Sequence, residues 1–331
     1  MPILDLPAFE LQCGVTLRPA RLAYETYGTL NPARDNAVLV PTFYGGTHTD
    51  IEAMMAPGRA LDPARWFVIV PNMFGNGLSS SPSNTPPPAD RAAFPRVTLH
   101  DNVRAQHVLV TAHLGITRLR LVAGFSMGAQ QAFHWGAMHP DMVDAIAPIC
   151  GSARTAPHNY VFLDGVKAAL TADAAFADGW YERPPVRGLL AFSRVYAGWM
   201  FSQDFYRDAA YRDLGLTSVE DTVRFVEGRF RQRDANDLLA MLWTWQHADI
   251  SAHERFGGNL AAALGAVTPR AIVMPSETDL YFRVEDNRRE VAHMPDAELR
   301  PIPSTWGHAA GRGTNPPDNA FIDAALRELL A

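Results

Sequence analysis

The chain has 331 residues, a formal net charge of −6, 47% apolar and 19% charged residues. That composition excludes a disordered chain, and the scatter of its basic residues excludes a phosphate-backbone-binding surface, so nucleic acid is not an expected partner. Two cysteines, Cys13 and Cys150, supply neither a disulfide framework nor a metal-ligand spacing. Cys150 ends the apolar run 145–150 and reads as a buried thiol.

Along the first ten residues, acids and prolines stand where a secretory signal needs a basic start and an apolar run. No segment approaches the roughly 18 consecutive apolar residues of a membrane span. A cytoplasmic protein with no membrane partner is expected. Residues 15–27 alternate in polarity and predict an antiparallel hairpin at a sheet edge. Apolar runs at 37–41, 66–70, 119–123, 145–149 and 271–274, with a weaker one at 297–302, each precede a turn and helical periodicity. They predict buried strands of a mostly parallel sheet flanked by helices, an α/β fold. The turn-rich stretch 75–88 predicts a surface loop.

From Gly151 to about Gly265 the periodicity is helical and no buried strand is evident. The predicted division is therefore a core of residues 1–151 and 266–331 and a helical lid of residues 152–265. Such a lid would cover the carboxyl ends of the strands, where open α/β sheets bind ligands. Trp180, Trp199, Trp243 and Trp245 are expected mostly to fill the lid's own core. A last helix is predicted over 317–330.

The chemistry concentrates in Gly124-Phe-Ser126-Met-Gly128, preceded by a buried strand and followed by a helix. Strand, G-x-S-x-G and helix together make a nucleophile elbow, with glycines where strand and helix must approach closely. Ser126 is the candidate nucleophile. A serine hydroxyl needs a base and a carboxylate to orient that base, expected later in the chain in the order serine, acid, histidine. His308, in a glycine-flanked loop before the last helix, is the candidate base; His134, His139, His247 and His253 read as packing or capping residues. Asp279 is the candidate acid, with Glu277 as the alternative two residues earlier. The amide of Met127 and that of Tyr44, in the loop 41–47, are candidates for the oxyanion hole.

With these residues the sequence resembles the homoserine O-acetyltransferase family of α/β-hydrolase-fold proteins over nearly its whole length. The resemblance is carried by Tyr24-Glu-Thr-Tyr27-Gly, Phe94-Pro-Arg-Val-Thr98-Leu-His-Asp101-Asn-Val103 with Gln106, the elbow 124–130, His139-Pro140, Asp279-Leu-Tyr-Phe282 and Gly307-His308. It implies an α/β-hydrolase core with a helical lid, a triad of Ser126, Asp279 and His308, and a homodimer. Two departures bear on the reaction. Acetyltransferases of the family typically follow the catalytic histidine with an Asp that pairs with the substrate ammonium, and here Ala309 stands there. Leaving a buried ammonium unpaired costs about 3–5 kcal/mol, on the order of a hundredfold or more in affinity. The oxyanion loop reads Thr42-Phe-Tyr-Gly-Gly46 rather than a His-Ala-Leu-Thr-Gly pattern. Both look like the family's esterase branch, which hydrolyses short-chain alkyl esters with no metal or organic cofactor. The expectation is a serine carboxylesterase with a small-molecule ester substrate. The competing readings are acyl transfer from an acyl-coenzyme A to homoserine or a similar hydroxyl, and an idle scaffold acting as a ligand receptor.

Overall fold

The structure, a computed structural model, describes all 331 residues. Its strands in chain order are β1 (Ile3–Leu6), β2 (Phe9–Glu10), β3 (Thr16–Leu17), β4 (Ala20–Tyr27), β5 (Ala37–Leu39), β6 (Phe67–Pro71), β7 (Leu121–Phe125), β8 (Ala145–Ile149), β9 (Arg270–Val273) and β10 (Ala297–Leu299). Eight of them form one sheet in the order β1-β4-β6-β5-β7-β8-β9-β10. The pairs β1/β4 and β4/β6 are antiparallel and every other pair is parallel.

Along each central strand, successive residues feed opposite faces, as the two-residue period of a strand requires. Val38, Leu121, Ala123 and Ile272 join one apolar cluster, while Ala37, Leu39, Val122 and Ala271 join the other. Because both faces are buried, the strands read as continuous apolar runs instead of alternating ones, and this is why they were visible in the sequence.

Ten helices surround the sheet: α1 (Leu99–Val108), α2 (Met127–Met138), α3 (Pro157–Thr171), α4 (Val186–Met200), α5 (Gln203–Arg207), α6 (Val219–Phe230), α7 (Ala235–Gln246), α8 (Leu260–Gly265), α9 (Val284–Val291) and α10 (Pro316–Leu330). Between β8 and β9 the chain is helical, from α3 to α8, with no strand. Leu163, Phe192 and Leu238 of that segment share one core with Val38 and Leu121 of the sheet and with Ile322 of α10. Trp245 is fully buried there, whereas Trp180 is 50% exposed and fills no core.

Two expectations are corrected. The hairpin predicted within residues 15–27 does not form: β3 pairs with β2, and β4 runs between β1 and β6. The extreme amino terminus, too short and mixed to register as a strand by periodicity, is β4's edge partner. The stretch 75–88 has no regular element, as predicted, but its first half is not on the surface; Asn76, Ser79, Ser80 and Ser81 are buried. Its serines stand in for a strand. Ser79 Oγ accepts the amide of Ala23 at 2.9 Å and donates to the carbonyl of Asn72 at 2.8 Å, and Ser80 Oγ accepts the amide of Arg21 at 2.8 Å. Buried backbone groups of β4 are thereby satisfied by side chains.

The loop that leaves β8 is held by α9. Glu290, 5% exposed, accepts the amides of Ala153 and Arg154 on Oε1 at 2.9 and 3.3 Å, and Asn287 Nδ2 reaches both Glu290 Oε2 at 2.8 Å and the carbonyl of Gly151 at 2.9 Å. Burial pushes the Glu290 carboxyl up to about 8, against the pull of those hydrogen bonds. The native state therefore keeps this proton where the unfolded chain releases it, so its contribution to stability is complete at acid pH and is lost as pH rises toward about 8. Glu290→Gln keeps the shape and cannot ionise. Its melting temperature should fall less than that of the wild type between about pH 5 and about pH 8.5; parallel declines would contradict the assignment.

Candidate active site

Strand β7 passes into α2 through Ser126, whose φ of 58° and ψ of −122° lie outside the regions open to ordinary residues. Such a conformation costs about 1–3 kcal/mol and persists only where its surroundings impose it. They do. The Ser126 amide donates to the carbonyl of Ile149 at 2.9 Å, and its carbonyl accepts the amide of Gln130 at 3.1 Å. A Cβ on Gly124 would stand 2.2 Å from the carbonyl of Gly128, and one on Gly128 would stand 2.6 Å from the carbonyl of Pro41. No side chain fits at either position, and the missing atoms are what lets strand, helix and the 41–47 loop close on one another.

Asp279 lies in the turn after β9 and is fully buried. Its Oδ1 accepts the amides of Tyr281 and Phe282 at 3.0 and 3.1 Å, which leaves Oδ2 to take Nδ1–H of His308 at 2.7 Å. That bond assigns the tautomer with the proton on Nδ1 and leaves Nε2 as an acceptor. The imidazole is walled by the rings of Tyr281, Phe125 and Phe282, with centroids 4.5, 4.6 and 5.5 Å away. Glu277, the alternative acid, is exposed to solvent and makes no bond to His308.

Ser126 and His308 line the same cavity, together with Phe43, Tyr44, Tyr196 and Ala309. It keeps about 20 Å³ of free space, on the order of one water's worth. A larger cavity of about 550 Å³, lined by His100, His134 and Gln246, is reached by neither Ser126 nor His308.

Met127 heads α2, so no carbonyl of its own helix can accept its amide. Tyr44 sits in a turn, and its amide donates to no protein group. Its ring is fixed by Trp245, Tyr196 and Phe230 at 5.5, 6.0 and 6.2 Å, and its hydroxyl donates to the carbonyl of Leu238 on α7 at 3.1 Å.

None of the other histidines lines the serine's cavity. His134 is buried against the carbonyl of Gln130 at 2.8 Å, and burial lowers its pKa to about 4. His139 stacks on His107, His247 on Trp243, and His253 on His100. Cys150 is fully buried, as its run predicted. Its sulfur and donor atoms of Asp279 and His308 lie within 4.8 Å of one another. The trio does not fit a metal ion: the donor atoms of Asp279 and His308 engage each other, and burial holds the thiol well above its ordinary pKa, whereas a ligand must be a thiolate.

Sequence reasoning missed Arg229 and Arg312, which also line the cavity. Arg229 stands in the run Glu227-Gly-Arg-Phe-Arg, which reads as a solvated helix face, and only the packing of α6 against α4 turns it inward.

Comparison with known proteins decides the family. The family model described as alpha/beta hydrolase fold matches residues 38–236. The chain belongs to the alpha/beta hydrolase family. The ethyl acetate hydrolase of Pseudomonas veronii is 38% identical over 99% of this chain and 95% of its own. The homoserine O-acetyltransferase of Leifsonia xyli is 33% identical over 98% and 88%. The solved acetylester hydrolase of Corynebacterium glutamicum superposes on this alpha/beta hydrolase with a TM-score of 0.96 at 39% identity, covering 99% of this chain and 95% of that one.

The geometry separates the two acids experimentally. An organophosphate should label Ser126 stoichiometrically, Asp279→Asn should slow labelling on the order of a thousandfold or more, and Glu277→Gln should label at the wild-type rate. Equal slowing in both variants would remove Asp279 from its assigned place.

Proposed function

We propose that this alpha/beta hydrolase is a serine carboxylesterase acting on short-chain, acetyl-type esters. The observation that carries the reading is the His308–Asp279 hydrogen bond of 2.7 Å at a cavity that His308 shares with Ser126. In this mechanism Nε2 of His308 takes the Ser126 proton as Oγ attacks the ester carbonyl, and the amides of Tyr44 and Met127 hold the oxyanion. The alcohol leaves with the proton from His308. Water, deprotonated by the same nitrogen, then releases the acid and frees Ser126. Asp279 keeps the proton on Nδ1 and stabilises the imidazolium.

Similarity to an ethyl acetate hydrolase and an acetylester hydrolase supports the acyl size. The charges of the site weigh against a transferase for homoserine. Ala309 lines the cavity where the family's acetyltransferases carry an Asp, and no carboxylate lines it at all, whereas Arg229 and Arg312 do. An ammonium placed there would meet two guanidinium groups and no carboxylate of the lining.

In this reading the α3–α8 segment is the lid over the site, and the enzyme works in the cytoplasm as a homodimer. No helix is long and apolar enough to cross a membrane. Support for pairing comes from the resemblance to the homoserine O-acetyltransferase family.

The test is a side-by-side assay of a short nitrophenyl ester and of acetyl-coenzyme A with homoserine. The expected result is ester hydrolysis independent of any acceptor, with no homoserine-dependent thiol release. Acceptor-dependent thiol release with negligible ester hydrolysis would establish the transferase instead.

A further inference from the structure

Two guanidinium groups face the serine's cavity. Arg229, from the end of α6, and Arg312, four residues after His308, both line it, and their side chains are only 18% and 17% exposed. A guanidinium carries five N–H donors in a planar fork. Neither of these two has a protein acceptor at hydrogen-bond distance, and Nε of Arg229 is wholly buried without a partner. The one carboxylate nearby is Asp50. It lies 4.0 Å from Arg229, 3.9 Å from Arg233 and 3.6 Å from Arg312, and its own hydrogen bonds come from the amide and hydroxyl of Thr47 at 2.9 and 3.2 Å. Three arginines thus share one acid that hydrogen-bonds to none of them.

Arg229 belongs to the helical segment and Arg312 to the turn that carries His308, so the pair is assembled only when the segment sits on the sheet. Both forks match a carboxylate, whose two oxygens accept in parallel, better than any neutral group. The acetyl portion of the proposed substrate has no charge to offer, so the partner must lie on the alcohol side.

We infer that Arg229 and Arg312 form an anion subsite beside Ser126, which selects acetyl esters whose alcohol portion bears a carboxylate. This rests on the esterase reading above and names its substrate class. In the reaction, water's oxygen joins the acyl carbon to give acetate, the acyl C–O bond breaks, and the alcohol oxygen takes a proton to leave a hydroxycarboxylate. The carboxylate itself is a handle and does not react.

The experiment compares kcat/KM for acetoxyacetate with that for 2-methoxyethyl acetate, an uncharged ester of similar size. The wild type should prefer the anionic ester by about tenfold or more, the ratio worth one charge-assisted contact. Arg229→Met and Arg312→Met should each collapse that ratio, and Arg229→Lys should restore part of it; reading the ratio cancels any general loss of activity. A wild-type ratio at or below one overturns the inference, as does a ratio unchanged in both Met variants. If the Met variants fail to fold, the wild type still decides: glycolate should inhibit competitively and 2-methoxyethanol should not, and equal inhibition by the two overturns it. Turnover of the neutral ester without anionic preference sinks this inference alone, whereas no turnover of either ester by an enzyme that organophosphate fails to label sinks the esterase reading and this with it.

Discussion

Everything at the site depends on how closely β7, α2 and the 41–47 loop approach one another. Gly124 and Gly128 leave no room for a Cβ, and the chain between them is forced through a conformation that Ser126 adopts only because Ile149 and Gln130 hold its amide and carbonyl. One turn thus sets three things together: the serine at the carboxyl end of a buried strand, the amide of Met127 at a helix start, and the amide of Tyr44 across the gap. An added methyl group at either glycine pushes these apart, and the strain of about 1–3 kcal/mol at Ser126 then has nothing to sustain it.

The second constraint is electrostatic. Asp279 is a buried carboxylate, which is costly unless fully hydrogen-bonded. Two amides and the imidazole of His308 meet that need. The acid and the histidine therefore fix each other, within walls formed by the rings of Phe125, Tyr281 and Phe282. Beyond them the cavity is lined by Arg229 and Arg312 and by no carboxylate, the observation behind the proposed preference for anionic esters.

The parts of the molecule legible in the sequence are those dictated by local rules. Buried parallel strands announce themselves as apolar runs, and the elbow follows from strand, glycines and helix in immediate succession. His308 and Asp279 could be placed because each follows a strand in the chain order that the elbow implies, and the structure joins them by a hydrogen bond. What escaped the sequence depends on contacts between distant segments. Nothing in residues 1–6 marks a strand until β4 is there to pair with it, and Ser79 and Ser80 look like loop residues until their hydroxyls are seen completing the edge of β4. Arg229 shares the polar signature of any exposed helix face, and Tyr44 owes its fixed position to four rings contributed by α4, α6 and α7.

The central claim is that hydrolysis passes through an acyl group carried on Ser126. Rapid quenching of the enzyme with a short acetyl ester, followed by peptide mass spectrometry, tests it directly. The account predicts an acetyl group on the peptide that contains Ser126, formed within the first turnover and absent in Ser126→Ala, which should have lost turnover while keeping its fold. An unmodified Ser126 peptide during active turnover, or a Ser126→Ala enzyme that hydrolyses esters as fast as the wild type, would contradict it.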